Sequence, residues 1–207
     1  MKERNIEKSI NQKIKEIGKY GLVYSLGTFS QSLVGFLLLP MYANFLSPYD
    51  YGVFALIQFI GTVFGTFFYF GASSALPRSY FSYKNKSERI KVFNVTFTIL
   101  FIGALIQIFI GFVFSEFFSV LLTGEHIFSS LISIQICSSA IAFLNTGFYM
   151  YLRLVRNSKV IILLGILNIS IIVALVYFFL VLFSLGLKAP IFAIFISNFI
   201  TICIFVF

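Results

Sequence analysis

The polar residues able to do chemistry in this chain fall into a few groups, most of them inside apolar runs. Gln135, Ser138, Ala142, Asn145 and Tyr149 follow helical spacing, with Ser139 and Thr146 beside them. Amides and hydroxyls in that pattern offer a line of hydrogen bonds along one helix face. In hydrocarbon an unpaired polar group is costly, so the face must meet another helix or water. Packing and cavity lining are both open readings. A second stripe, Gly21, Ser25, Thr28, Ser32 and Gly35, recurs every three or four residues with Gln31 beside it. Small residues let helices approach closely, and their hydroxyls can bond across the contact or line a cavity. Asn94 and Gln107 are further amides in a third apolar run. Arg78, Arg153 and Arg156 flank such runs, where a guanidinium can attract an anion, or snorkel to lipid headgroups and fix topology.

Catalytic constellations are missing from the sequence. The single histidine, His126, stands beside Glu125 with Glu116 upstream, too few ligands for a metal. There is no HExxH, no P-loop, no GxGxxG and no carboxylate pair at one depth. Cys137 and Cys203 both lie inside apolar runs, so neither a disulfide framework nor a CxxC motif is available, and both read as small packing residues. The expectation is a protein that is not an enzyme and carries no cofactor.

The elements that must hold these groups are membrane helices. Hydrophobic residues make up 59% of the chain, charged residues 11%, and the mean hydropathy is +1.00, well beyond a soluble domain. The net charge of +8 could suggest nucleic acid, but its placement argues against that partner. Lys2, Arg4, Lys8, Lys13, Lys15 and Lys19 precede the first apolar run. Arg78, Lys84, Lys86, Arg89 and Lys91 follow the second, and Arg153, Arg156 and Lys159 follow the fourth. Only Lys188 lies elsewhere. Basic clusters in alternate loops are the positive-inside signature, so the charge reports orientation and contact with membrane lipids, with a cytoplasmic N-terminus.

Taken in order, residues 1–19 place Ile6, Ile10, Ile14 and Ile17 on one helical face among Lys and Glu, which predicts an amphipathic segment on the cytoplasmic surface or a solvated tail. Residues 20–207 predict a polytopic, all-α bundle of about six spans, each near the roughly 20 residues needed to cross hydrocarbon. The first runs over 20–45, with Pro40 as a candidate kink, and turns through Ser47-Pro48-Tyr49-Asp50 into a second over 51–76. Gly61 and Gly65 form a GxxxG in the second and mark a close helix contact. A loop over 78–91 carries the aromatic cluster Tyr80, Phe81 and Tyr83. Further spans are expected over 92–114, 129–152, 160–183 and from 189 onward, with Glu116, Glu125 and His126 in an external loop.

The opening stretch resembles a known family. Gly21, Ser30-Gln31, Pro40-x-Tyr42-Ala43, Leu46-Ser47-Pro48, Asp50-Tyr51-Gly52, Phe70-Gly71 and Arg78-x-Tyr80-Phe81 look like the N-terminus of the polysaccharide-biosynthesis flippases. These are the O-antigen and capsule exporters of the multidrug/oligosaccharidyl-lipid/polysaccharide superfamily. Gly186-x-x-Ala189, Ala193 and Ser197 resemble the small-residue pattern of the family's sixth helix. The resemblance implies two helical bundles in a V that opens alternately to each side of a bacterial cytoplasmic membrane. It also implies a substrate, an undecaprenyl-pyrophosphate-linked oligosaccharide whose head crosses a polar cleft while its tail stays in lipid.

On that footing the chain is expected to be an N-terminal fragment that pairs with a second six-helix lobe. Arg78, Arg153 and Arg156 are expected to meet the diphosphate at the cytoplasmic mouth, and Ser25, Gln31, Asn94, Gln135 and Asn145 to offer hydrogen bonds along the cleft. One alternative is a cation-coupled multidrug exporter of the same superfamily. A deep carboxylate, worth about 2.5 to 3.5 kcal/mol to insert, would be its usual mark, and no Asp or Glu lies within the expected spans. Another is a non-transporting scaffold of a glycan-assembly complex, which requires both polar faces to be fully packed.

Overall fold

A computed structural model describes residues 35–69, 71–155 and 157–206, and over them the chain is a bundle of helices. Helix α1 (Gly35–Phe45) is followed by α2 (Pro48–Phe68), α3 (Ala72–Ser82), α4 (Lys86–Val113), α5 (Ser115–Thr123), α6 (Ser129–Leu154), α7 (Ser158–Tyr177) and α8 (Lys188–Val206). Five segments are long and apolar enough to cross a membrane: α2, α4, α6, α7 with its continuation to Leu182, and α8. The chain is a multi-pass membrane protein. Residues 1–34, including the expected amphipathic segment and the first part of the first span, lie outside the described residues.

Local chemistry sets the helix ends. Ser47 caps α2: its Oγ accepts from the Asp50 amide at 3.1 Å and donates to Asp50 Oδ2 at 2.7 Å, while Pro48 takes the first turn, where no amide donor is needed. Gly124, at φ 76°, closes α5 in the left-handed conformation. The π-helical turn Phe178–Leu182 ends α7, and Gly186 at φ 53° leads into α8.

Helix α6 is the centre of the bundle. It packs against α2, α4, α5, α7 and α8, and 56% of its spanning window is buried against 11% for α7. Glycines allow the closest contacts. A Cβ on Gly61 of α2 would stand 2.7 Å from Nε2 of Gln135 on α6, and one on Gly65 would touch Phe143, so the GxxxG marks the α2–α6 contact. Gly111 of α4 is as close, with Ile136 Cγ2 2.7 Å and its Cβ 3.0 Å from an added Cβ. Ala189 and Ala193 of α8 are fully buried. Away from these contacts large apolar side chains such as Phe109, Phe112 and Leu163 are exposed, the surface a bilayer would cover.

The fold departs from the sequence reading in three places. The second span stops at Phe68 rather than near Leu76, because Gly71 turns the chain at φ 65° and a separate helix begins. Arg78 therefore stands within α3, and the expected loop over 78–91 is mostly helical, with α4 starting at Lys86. Glu116 lies in the first turn of the short helix α5 instead of in a loop. Pro40 lies inside α1 and the helix is continuous through it.

Candidate polar cavity between the helices

One face of α6 opens on a cavity of about 820 Å³. From α6 come Asn145, Thr146, Tyr149 and Arg153; from α7, Gly165, Asn168 and Ile172; from α8, Ile194, Asn198 and Thr201. Helix α2 adds Tyr51, Phe54 and Gln58, and α1 adds Gly35, Leu38 and Tyr42. Helical spacing explains the α6 contribution, since residues 142, 145, 146, 149 and 153 lie on one stripe. Facing it, Asn168 is one turn from Gly165, and Asn198 and Thr201 are one turn apart on α8.

Much of this polarity is anchored by direct bonds. Asn198 Nδ2 donates to Ser138 Oγ at 3.0 Å, and Asn145 Nδ2 donates to the Asn198 carbonyl at 3.0 Å, tying α6 to α8. Asn168 Nδ2 donates to Ser197 Oγ at 3.1 Å and to Thr201 Oγ1 at 2.8 Å, tying α7 to α8. Such bonds hold helices together where apolar burial supplies little drive. One group is left over: Asn145 is only 4% exposed, lines the cavity, and its Oδ1 has no partner. A buried acceptor in that state is a site for a donor from water or a bound molecule.

The cavity has two different ends. Toward the basic loops stands Arg153, the only cation among its described lining residues. Toward the opposite end, which carries Asp50 and Glu125, the Tyr42 ring lies 5.4 Å from that of Phe54 and 6.3 Å from that of Tyr51, centroid to centroid. Tyr49 and Glu125 join the α2 start to the α5–α6 loop by a 2.8 Å hydrogen bond, and His126 Nδ1 meets Glu116 Oε1 at 2.9 Å on the exposed surface nearby. Among the described residues no group of three or more His, Cys, Asp or Glu could hold a metal.

The polar residues singled out in the sequence separate into classes. Asn145 and Arg153 line the cavity together. Gln135 is buried at the α2–α6 contact, donating to Gln58 Oε1 at 3.3 Å with its own Oε1 unpartnered, and it is Gln58 that reaches the cavity. Gln107 is fully buried between α4 and α6, donating to Ser139 Oγ at 2.5 Å and to the Ile136 carbonyl at 3.2 Å. Asn94 is exposed on α4 and Arg78 is exposed on α3, and neither lines the cavity. Ser25, Gln31 and Arg156 lie outside the described residues. Gln58, Asn168, Asn198 and Thr201 were not selected from the sequence as site residues. The signal for them was present, since each is a polar side chain in an otherwise apolar span.

Comparison with known proteins adds one finding. A family model described as polysaccharide biosynthesis protein matches residues 17–207, whereas no curated protein and no solved structure matches the chain.

Proposed function

Because the chain belongs to the polysaccharide biosynthesis protein family, whose membrane proteins are transporters of the flippase type rather than enzymes, we propose that it helps carry an undecaprenyl-pyrophosphate-linked oligosaccharide across a bacterial cytoplasmic membrane. The observation that carries this reading is the cavity of about 820 Å³ inside an apolar bundle, lined by amides, hydroxyls and tyrosines, with Arg153 at its basic end. A sugar diphosphate is far too polar for hydrocarbon. Side chains that replace water's hydrogen bonds lower that barrier, and tyrosine rings give sugar faces an apolar surface edged by hydroxyls.

In this reading the roles divide by position. Arg153 attracts the diphosphate at the basic mouth through charge-assisted hydrogen bonds. Asn145 offers its unpartnered Oδ1 to a sugar hydroxyl, and Gln58 and Thr146 provide further bonds along the path. Asn168 and Asn198 hold the α6–α7–α8 wall in shape. Arg78 and Arg156 remain candidates for the cytoplasmic approach, Ser25 and Gln31 for the first-span wall, and a second six-helix lobe is the proposed partner across the cleft. Asn94 and Gln135 were grouped with the cleft on sequence grounds; their positions suit a lipid-facing and a packing role instead.

The cavity also supports this reading over its rivals. A fully packed scaffold leaves no such space, and a cation-coupled drug exporter calls for a carboxylate that is lacking among the described lining residues. The test is translocation of a fluorescent lipid-linked oligosaccharide in proteoliposomes, with the partner lobe supplied if translocation requires one. Asn145→Leu and Arg153→Ala are each expected to slow it by about tenfold, the effect of losing one charge-assisted or buried bond. Unchanged rates in both, in normally inserted protein, would overturn the assignment.

A further inference from the structure

The basic end of the bundle carries a ledge outside the cavity, built within residues 75–91. Gly71 turns the chain out of α2 and into α3, whose 11 residues are too few to cross a bilayer. Helix α3 instead packs against α4 and α6. Its two faces differ: Leu76 is buried at 1% exposure, while Arg78, Phe81 and Ser82, on the opposite side at helical spacing, are exposed. The turn into α4 adds Tyr83, Lys84 and Lys86, all exposed, and α4 adds Arg89 and Lys91. Five cations thus stand against a single acid, Glu88, and none of the five forms an ion pair with a described residue.

One of these cations is held in place. Arg89 Nε donates to the Tyr83 carbonyl at 2.8 Å, and its guanidinium carbon lies 5.1 Å from the centroid of the Tyr80 ring. Tyr80 is itself set edge-on to Phe81, centroids 5.6 Å apart. The Nη groups of Arg89 make no hydrogen bond to a described residue. A guanidinium oriented this way keeps a forked set of donors that matches a phosphate. Beside it Phe81 is 61% exposed and Tyr83 45% exposed, aromatic surface that suits the membrane–water boundary.

We propose that this ledge is a binding site for an anionic phospholipid, with the headgroup phosphate on Arg89, the field of Arg78, Lys84 and Lys86 drawing it in, and acyl chain against Phe81. Charge selects the occupant: a zwitterionic headgroup brings no net charge to five cations, whereas basic pockets at the ends of membrane helices hold anionic headgroups. A soluble anion would satisfy Arg89 but leave Phe81 in water, so the occupant carries hydrocarbon as well as phosphate. None of these residues lines the polar cavity, so the site stands whatever the cavity carries. A lipid bound there ties α3 and the start of α4 to the membrane surface.

The chain contains no tryptophan, so Phe81→Trp supplies a single fluorescent reporter in the full chain. Its quenching in nanodiscs is compared for brominated phosphatidylglycerol and brominated phosphatidylcholine. Phosphatidylglycerol is expected to quench it at about tenfold lower mole fraction, whereas Phe109→Trp, at a position 67% exposed on α4, is expected to be quenched equally by both. Adding Arg89→Ala is expected to weaken the preference about fivefold, the share of one basic residue at an anionic surface. Lys84→Ala with Lys86→Ala, both at exposed positions, is expected to weaken it at least as much without altering a packed side chain. Equal quenching of Phe81→Trp by the two lipids, the same preference at Phe109→Trp, or a preference unchanged by either set of substitutions overturns the site.

Discussion

At the scale of residues, the buried amides fall into two kinds that composition could not separate. Gln107 sits between α4 and α6, lines neither the polar cavity nor an apolar groove formed by α1 and α7, and leaves its Oε1 unpartnered. Replacing it by leucine removes its bonds to Ser139 and to the Ile136 carbonyl, which keep their own helix partners, together with an unsatisfied acceptor, so Gln107→Leu is expected to shift stability by less than about 1 kcal/mol and leave transport unchanged. Asn168 differs in lining the cavity and in having no buried atom left without a partner. It spends both donor hydrogens on Ser197 and Thr201, and Asn168→Leu is expected to cost about 1 to 2 kcal/mol in unfolding from detergent micelles by loosening α7 from α8. A Gln107→Leu protein that fails in transport while folding normally, or an Asn168→Leu protein of unaltered stability, would contradict this division. Periodicity placed Gln135 and Asn145 on one α6 face, yet the two do different things. Gln135 is filled in by Gln58 and Gly61 of α2, whereas Asn145, ten residues further along, bonds the Asn198 carbonyl of α8 and borders the cavity. Which amide is packed depends on its neighbour helix, and nothing local to α6 encodes that.

At the scale of elements, the glycine contacts give the sharpest expectation. Gly111→Ala would drive a Cβ into β-branched Ile136, which has a stiff side chain; overpacking of that kind typically costs about 1 to 3 kcal/mol. Gly165→Ala meets open space and is expected to be neutral or slightly stabilising, by up to about 1 kcal/mol from helix propensity. Thermal unfolding of the two variants in one detergent checks the contrast, and equal losses would refute the packing described. Helices α4, α6, α7 and α8 were legible in the sequence because long apolar runs bounded by charges leave little choice of register with the bilayer. The break after Phe68 was not. Gly71 can continue a helix or leave it at positive φ, and the apolar run through Leu76 hides which. Helix α5 was missed because nine residues are too short for a periodic signal to stand out. The cavity was half legible: the α6 stripe pointed to it, but the α7 and α8 walls were seen as scattered polar residues.

At the scale of the whole molecule, the charge pattern and the cavity point the same way. Basic loops gather at the end where Arg153 lines the cavity, and the acidic residues Asp50, Glu116 and Glu125 mark the other. A path with this polarity favours entry of an anion from the basic side. Arg153→Glu is therefore expected to weaken binding of the anionic carrier by more than Arg153→Ala, and added salt to narrow the gap between wild type and both variants. Binding to nanodiscs measured at two ionic strengths tests this, and identical affinities for Ala and Glu variants would show that no anion passes Arg153. The central claim, that the face of α6 borders a water-filled path used by substrate, is tested most directly by cysteine labelling at Asn145 in a Cys137→Ser, Cys203→Ser background. An impermeant maleimide is predicted to modify Asn145→Cys in membranes, and lipid-linked oligosaccharide to slow that modification. Asn145→Cys that stays unmodified from both sides of the membrane, or is modified at the same rate with substrate present, would contradict the account.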